Sequence, residues 1–296
     1  GLPLRRSRPE NRFTLFRQTL YKANTRKGAM ADPLTTYQDD LDLLRTAAVT
    51  AGIIASSYFR RDLKTWTKEN SSPVSEADIV LDKFLYSALT TARPTYGWLS
   101  EESEDDQSRL HHSRVFIVDP IDGTRGFIRG EDSWTVSLAI VENGIPVVGV
   151  VFAPARNEMY DAYAGGGARL NGSPIVRQTP PDRLAPLIPA PGAVHQELQG
   201  AGLDYTRGPA YPSLAYRLVQ VATGKLDATV VRRGSQDWDI AGAAVILGEC
   251  GVAFEDACMG AMHYNAAEIR HGALAAFAQV SLREVLCGAL IKVYGC

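Results

Sequence analysis

The stretch Val115-Phe-Ile-Val-Asp-Pro-Ile-Asp-Gly-Thr124 decides the architecture of this chain. Its four leading apolar residues are typical of a strand that is buried on both faces. The apolar run ends at Asp119, and a second carboxylate, Asp122, follows after the stiff residue Pro120. Gly123 lets the backbone approach a ligand closely. Carboxylate oxygens at the end of a buried strand suit Mg²⁺, which also takes water and substrate phosphates as ligands.

A simple Asp-Pro turn with an Asp helix cap is the alternative explanation of this stretch. Three further acidic positions favour a site. Glu101-Glu102 follows a short apolar run, Asp239 is predicted as the N-cap of a helix that reaches Gly248, and Asp78 lies in the first turn of a helix that begins at Ser75. Each has its own alternative, namely a solvated acidic loop, a plain N-cap and a capping-box partner. No serine-hydrolase elbow or ATP-binding loop competes with this set.

Hydrophobic periodicity predicts helices and strands in both halves of the chain, and therefore a layered fold of mixed α and β structure. A capping box of Thr35 and Gln38 is predicted to start the first helix. Asn143-Gly144 predicts a tight hairpin. The predicted helices are 36–61, 75–89, 213–223 and 239–248, and the predicted strands are 115–118, 134–141, 147–152, 159–163 and 228–231. Gly165–Gly167 is predicted as a turn rather than a phosphate loop.

Four segments are predicted from composition and patterning. They are a basic leader at 1–31, an α+β subdomain at 32–180, an α/β subdomain at 181–285 and a tail at 286–296. The Pro- and Ala-rich stretch 178–193 marks the boundary between the subdomains. Within the leader, residues 1–29 carry eight basic residues and one acidic residue but no long apolar run, which argues against a secretory signal. A disordered arm, a transit-like peptide and sequence upstream of a start at Met30 remain the alternatives.

The whole chain has 296 residues, with 31 basic against 33 acidic side chains and 45% hydrophobic residues. This composition excludes a disordered chain and a disulfide miniprotein, and the near-neutral charge gives no reason to expect nucleic acid as a partner. No apolar run approaches the roughly 18 residues of a membrane span, so a membrane partner is not expected. The four cysteines match no zinc pattern, and we interpret them as reduced thiols of a cytoplasmic protein.

Two signatures resemble those of the inositol monophosphatase superfamily. The first is Asp119-Pro-Ile-Asp-Gly-Thr124 followed by Phe127, and the second is Trp238-Asp-Ile-Ala-Gly-Ala243 with Glu249 and Gly251. Glu101-Glu102 resembles the acidic pair upstream of them. The resemblance extends from about residue 40 to about residue 275. It implies an alternating α-β-α-β-α sandwich and a phosphomonoesterase that uses two or three Mg²⁺ ions and is sensitive to Li⁺.

Roles for individual residues also follow from the resemblance alone. The implied metal ligands are Glu101, Asp119, Asp122, Asp239 and the backbone carbonyl of Ile121. Thr124, paired with Asp78, is implied to orient and deprotonate the attacking water, with Glu101 assisting. The backbone N–H groups of Gly123 and Thr124 are implied to hold the phosphate, next to Asp122.

Substrate choice divides the superfamily, and here the sequence looks most similar to the CysQ-type 3'(2'),5'-bisphosphate nucleotidase branch. Ser100 stands where the inositol branch usually has glycine, and Arg232 stands where it has a glutamate that binds polyol hydroxyls. Arg232 and Arg233 suit a second phosphate, which points to adenosine 3',5'-bisphosphate, although both arginines could equally be surface residues. The alternatives are inositol-1-phosphate, histidinol phosphate and fructose bisphosphate as substrates, or a metal- and phosphate-binding regulatory protein without turnover. A homodimer is one possible assembly.

Overall fold

The computed structural model describes residues 36–67, 73–178, 183–258, 260 and 262–296. The predicted basic leader at 1–31 lies outside these residues. Within them the helices are α1 (Tyr37–Tyr58), α2 (Glu76–Ala92), α3 (Thr124–Ile128), α4 (Gly192–Gly200), α5 (Leu214–Thr223), α6 (Asp237–Glu249) and α7 (Arg283–Tyr294). Short 3₁₀ helices lie at Ser108–His111, Pro154–Arg156 and Val280–Leu282.

The described strands form one large sheet, one smaller sheet and two short pairs. They are β1 (Thr65–Thr67), β2 (Pro73–Ser75), β3 (Gly97–Ser100), β4 (Arg114–Asp122), β5 (Thr135–Glu142), β6 (Ile145–Ala153), β7 (Glu158–Tyr163), β8 (Gly167–Leu170), β9 (Ser173–Pro174), β10 (Leu187–Ile188), β11 (Thr206–Arg207), β12 (Ala228–Val231), β13 (Ala253–Asp256) and β14 (Leu274–Phe277). The large sheet has the order β3-β4-β5-β6-β7-β8-β9, and only the β3–β4 pair is parallel. The smaller sheet has the order β12-β14-β13.

Layers of helix and sheet alternate, which confirms the predicted layered fold. Helices α1 and α2 cover one face of the large sheet, and α5 and α6 cover the other. The three-stranded sheet packs on the far side of α5 and α6, and α4 and α7 cover its outer face. The resulting order is α-β-α-β-α. Each sheet is therefore covered on both faces, and apolar side chains fill both sides of the central strands.

The burial of strand β4 explains why residues 115–118 are all apolar. All nine of its residues are buried. Phe116 and Val118 pack in the core beneath α1 and α2, whereas Val115 and Ile117 pack in the core beneath α5 and α6. A strand in this position has no solvent-facing side, so its sequence does not alternate. The prediction of a doubly buried strand is confirmed.

Local sequence signals predicted the bounds of most helices and strands to within a few residues of those in the structure. The β5–β6 hairpin turns at Asn143 and Gly144, both with positive φ, as its two-residue turn requires. The predicted capping box of the first helix is wrong by one residue. Thr36 and Asp39 form it: Thr36 Oγ1 accepts the N–H of Asp39 at 3.2 Å, and the Asp39 carboxylate accepts the N–H of Thr36 at 2.9 Å.

The cysteine interpretation needs correction, because Cys258 and Cys296 form a disulfide. Cys258 follows β13, and Cys296 follows α7, which packs on β14 beside β13. Tertiary packing thus brings together two thiols that are 38 residues apart, and no local pattern signals the pairing. Cys250 and Cys287 are free. The argument for a cytoplasmic protein from four reduced thiols therefore fails.

The predicted subdomain boundaries at 32–180 and 181–285 stay a prediction. One apolar cluster combines strands of the first segment with α5 and α6 of the second. The boundary at residue 286 falls inside α7, where Leu286 and Leu290 are buried against the smaller sheet. Among the described helices, none is both long enough and apolar enough to cross a membrane.

Candidate metal and active site

A bulge at the end of β4 brings its two carboxylates to one face of the sheet. Asp119 pairs with Ser137 of β5 and Asp122 pairs with Thr135, so three steps along β4 match two steps along β5. Residues three apart in a regular strand point to opposite faces. The extra residue cancels that alternation. The Asp-Pro-Ile-Asp spacing therefore produces a pair of neighbouring carboxylates rather than an isolated turn.

Asp239 completes a group of three carboxylates. Ligand atoms of Asp119, Asp122 and Asp239 all lie within 4.8 Å of one another. Asp119 and Asp122 are only 2% and 5% exposed. The third member comes from the first turn of α6, which packs on the opposite face of the sheet from α1 and α2. Strand β4 and helix α6 thus contribute the two signature motifs to one place.

The prediction that Asp239 caps its helix is wrong. Helix α6 begins at Asp237, and Gln236 is the residue that caps it. Asp239 is the third residue of the helix, and its carboxylate accepts the N–H of Gln236 at 2.7 Å. This bond occupies one carboxylate oxygen and holds the side chain at the start of the helix.

Hydrogen bonds also orient the two carboxylates of β4. Asp122 accepts the hydroxyl of Ser213 at 2.5 Å and the N–H of Ala215 at 2.6 Å, and so caps the first turn of α5. Asp119 accepts the N–H of Ile121 at 3.0 Å. The contact between Asp122 and α5 joins residues more than 90 positions apart, and sequence reasoning missed it.

The cluster of Asp119, Asp122 and Asp239 has the charge and burial that favour cation binding. Burial, together with the charges of neighbouring carboxylates that include Glu101, raises the pKa of Asp122 to about 6 and that of Asp239 to about 8. Burial raises the pKa of Asp119 well above its usual range, and the charges of four other carboxylates, Asp78 among them, add to this. Three crowded carboxylates with this mutual repulsion, two of them buried and Asp239 half-buried, fit a hard divalent cation such as Mg²⁺.

Glu101 lies beside this group rather than within it. It is the first residue after β3, and its N–H donates to the carbonyl of Val118 in β4 at 3.2 Å. Its charge helps to raise the pKa of Asp119 and of Asp78. The predicted ligand Ile121 also lies here, and its carbonyl accepts the hydroxyl of Thr124 at 3.0 Å.

The predicted pair of Thr124 and Asp78 is present. The hydroxyl of Thr124 lies 3.1 Å from Oδ1 of Asp78. The other oxygen of Asp78 accepts both the N–H and the hydroxyl of Ser75, at 2.8 and 2.6 Å. Asp78 is therefore a capping-box partner at the start of α2 and, at the same time, the partner of Thr124. Burial raises the pKa of Asp78 to about 6.

The backbone of Pro212 and Ser213 packs closely against Gly123. Its φ of +92° lies in the left-handed region, and an added Cβ would come within 2.9 Å of the backbone nitrogen of Ser213. Glycine is therefore required by both conformation and space. The predicted turn at Gly165–Gly167 lies elsewhere, and Glu249 of the second signature holds it by accepting the N–H groups of Gly165 and Gly167, each at 3.0 Å.

The two predicted arginines differ in their surroundings. Both follow β12 and are exposed. The charge of Arg232 lowers the pKa of Asp239, which places this arginine near the carboxylates. Arg233 instead donates to the carbonyl of Cys296 at 3.4 Å.

Sequence reasoning missed Arg217, a cation beside the same carboxylates. Burial lowers the pKa of this guanidinium, and the charge of Asp122 acts in the opposite direction. Its Nε is buried and has no hydrogen-bond partner among the described residues. The signal was a single arginine within the apolar helix predicted at 213–223.

The site and the layered fold define a class, the metal-dependent phosphatases that use acidic side chains and water. The chain belongs to the inositol monophosphatase family, whose profile matches residues 37–289. Members of this family are metal-dependent phosphatases that use Mg²⁺, and this chain is an enzyme of that class, a phosphoric monoester hydrolase. The superfamily resemblance of the two signatures is confirmed.

Individual relatives carry different names. A histidinol-phosphatase of Chlorobaculum parvum is 32% identical over 224 residues, which are 72% of this chain and 83% of the relative. The CysQ 3'(2'),5'-bisphosphate nucleotidase of Escherichia coli is 40% identical over 100 residues, which are 33% of this chain and 41% of the relative. The structure of the Thermotoga maritima IMPase superimposes with a TM-score of 0.74 at 25% identity, covering 86% of this chain and 98% of that one.

Proposed function

We propose that this enzyme hydrolyses a small phosphomonoester that carries a second anionic group, with adenosine 3',5'-bisphosphate as the leading candidate. The observation that supports this choice is the pair of cations, Arg217 and Arg232, whose charges act on each other and on Asp122 and Asp239. Two arginines beside a site of this kind favour an additional phosphate through charge-assisted hydrogen bonds. They disfavour histidinol phosphate, whose amino group is itself a cation.

Mg²⁺ is the cation that we assign to the carboxylates, with two or three ions in the loaded site. Asp119, Asp122, Asp239, Glu101 and the carbonyl of Ile121 would hold them. When bound, the ions neutralise the carboxylates, stabilise charge on the phosphoryl group and lower the pKa of water.

Thr124 and Asp78 orient the attacking water and take its proton in this proposal. An ionised Asp78 accepts a hydrogen bond from the hydroxyl of Thr124. The oxygen of Thr124 is then able to accept a hydrogen bond from the attacking water. Glu101 assists from the neighbouring loop. The backbone N–H groups of Gly123 and Thr124 would hold the phosphate. No covalent intermediate on the protein is needed.

Three further features belong to the proposal and stay predictions. Li⁺ is expected to inhibit hydrolysis, because the resemblance extends to the metal-binding residues. A homodimer stays one candidate assembly. The cytoplasmic location stays a prediction, and the disulfide of Cys258 and Cys296 argues against it, because disulfides are rare in cytoplasmic proteins.

The test is phosphate release from four substrates at millimolar Mg²⁺: adenosine 3',5'-bisphosphate, inositol-1-phosphate, histidinol phosphate and fructose 1,6-bisphosphate. We expect kcat/KM to be highest for adenosine 3',5'-bisphosphate. A preference for inositol-1-phosphate or histidinol phosphate would overturn the substrate proposal and retain the class of enzyme. Adenosine 5'-monophosphate is a suitable control, because it lacks the 3'-phosphate that would be cleaved.

A further inference from the structure

The carboxylate of Asp82 connects α2 to the acidic loop, which we define as residues 101–106. Ser100 donates its hydroxyl to Oδ1 of Asp82 at 2.6 Å, and Ser103 donates its hydroxyl to Oδ2 at 2.7 Å. Asp82 is only 7% exposed. A single buried carboxylate thus binds two hydroxyls that flank Glu101 and Glu102.

These hydroxyls link Asp82 to further groups. Each hydroxyl uses its one proton to donate a hydrogen bond to Asp82. Each serine oxygen is therefore still able to accept a hydrogen bond from another group. The oxygen of Ser100 accepts the N–H of Glu102 at 3.4 Å, and that of Ser103 accepts the indole N–H of Trp98 at 3.3 Å. Two directed chains of hydrogen bonds therefore end on the same carboxylate, and bonds to an ionised acceptor are the stronger kind.

Helix α2 presents Asp78 and Asp82 on one face, since residues four apart in a helix are neighbours. Asp78 contacts Thr124, and Asp82 contacts Ser100 at the end of β3 and Ser103 of the acidic loop. The N–H of Glu101 is bonded to Val118, which fixes its main chain against β4. Ser100 and Ser103, on either side of the glutamates, are then fixed against α2.

We propose that Asp82 is a positioning residue, which acts through Ser100 and Ser103 to hold Glu101 in the orientation that metal binding requires. This inference rests on the proposed metal site. The alternative is that Asp82 only stabilises the fold. The two roles differ in what they affect: a positioning role changes metal affinity, whereas a purely structural role changes the stability of the metal-free protein alone.

The experiment measures Mn²⁺ binding by electron paramagnetic resonance, because Mn²⁺ takes the same oxygen ligands as Mg²⁺ and is observable. The variants are Asp82→Asn and Ser100→Ala, and the second retains the charge of Asp82. Asp161→Asn is the matched control, because Asp161 is also buried but pairs with Arg45 of α1. Thermal unfolding in chelator is measured for each variant.

We expect Asp82→Asn and Ser100→Ala to weaken Mn²⁺ binding about 10–100-fold, the range for groups that orient a metal ligand. The double variant that combines Asp82→Asn with Ser100→Ala should bind Mn²⁺ about as weakly as Asp82→Asn alone, because both changes interrupt one hydrogen-bond network. Asp161→Asn should lower the unfolding temperature and leave Mn²⁺ affinity unchanged.

Two other results overturn the inference and differ in what they leave standing. Wild-type affinity in both Asp82→Asn and Ser100→Ala would show a structural role and leave the proposed metal site intact. Failure of the wild-type protein to bind Mn²⁺ at millimolar concentration would overturn the metal site and this inference together. Should Asp82→Asn not fold, Ser100→Ala alone decides between the two roles.

Discussion

The hydroxyl of Thr124 and the carboxylate of Asp78 meet at 3.1 Å, although 46 residues separate them in the chain. Thr124 starts α3 after the bulge of β4, and Asp78 lies in the first turn of α2. The same hydroxyl is 3.0 Å from the carbonyl of Ile121. It has one proton and so donates to one of these acceptors at a time. Asp78 is ionised at neutral pH because its pKa of about 6 lies below that pH.

Replacement of Thr124 by alanine removes this pair. Thr124→Ala should lower kcat about 10²–10⁴-fold, the usual range for the loss of a proton-transfer partner. KM should change little, because metals and backbone N–H groups would hold the phosphate. Steady-state kinetics with the best substrate of the panel provides the measurement.

Two variants make this result interpretable. Thr124→Ser retains the hydroxyl and should retain most of the activity. Asp78→Asn should lower kcat, and its effect should not add to that of Thr124→Ala, because the two residues act as one unit. A raised KM with unchanged kcat in Thr124→Ala would mean that Thr124 only binds substrate.

Asp119→Asn should have opposite effects on activity and on metal-free stability. The substitution removes one negative charge from the cluster of Asp119, Asp122 and Asp239, which would hold the metal ions. Activity at millimolar Mg²⁺ should therefore be lost. The same change relieves repulsion from Glu101, Asp122 and Asp239, whose charges raise the pKa of Asp119. The unfolding temperature in chelator should therefore rise at pH 7.5. Near-normal turnover in this variant would contradict the multi-metal site.

The metal-free protein should become less stable as pH rises from 5 to 8. The pKa values of Asp78, Asp122 and Asp239 are about 6, 6 and 8 in the folded protein, above the ordinary value of 3.8. The folded state therefore binds these protons more tightly than the unfolded state, and stability is lost as the groups ionise. Mg²⁺ should restore it, and by more at pH 8 than at pH 5.

Thermal unfolding across this pH range, with chelator and with Mg²⁺, checks the pH dependence. Asp119→Asn should flatten the profile in chelator, because fewer negative charges then accumulate. An unfolding temperature that is independent of pH in wild-type protein would show that the carboxylates do not repel one another as proposed.

The sequence predicted β4 and the hairpin at Asn143-Gly144 because both signals are local. A continuous apolar run identifies a doubly buried strand, and two residues with positive φ identify the turn. Asp239 was misplaced because an aspartate suits both the cap and the third position of a helix. Only the backbone before Asp239, in which Gln236 is extended, decides between them.

Other features depend on long-range packing that one sequence does not encode locally. The bonds of Asp122 to Ser213 and Ala215 require α5 to begin beside the end of β4. The disulfide of Cys258 and Cys296 requires α7 to pack on the smaller sheet. The charged residue of α5 was visible as an anomaly, but nothing local showed that Arg217 would lie beside Asp122.

Arg232→Ala should reduce activity selectively toward a substrate with two phosphates. Loss of a charge-assisted hydrogen bond costs about 1.5–3 kcal/mol, so kcat/KM for adenosine 3',5'-bisphosphate should fall roughly 10–150-fold. Inositol-1-phosphate has no second phosphate, and kcat/KM for its hydrolysis should fall much less. The ratio between the two substrates is therefore the diagnostic quantity.

Arg233→Ala is the matched control for Arg232→Ala. Arg233 follows β12 in the same exposed segment, but its guanidinium contacts the carbonyl of Cys296. Its removal should change neither substrate by more than about twofold, because exposed polar contacts of this kind contribute little. Added salt should reduce the effect of Arg232→Ala, since an exposed charge is screened. Equal losses on both substrates in Arg232→Ala would mean that this arginine supports the shared phosphate site, and the proposal of a bisphosphate substrate would then rest on Arg217 alone.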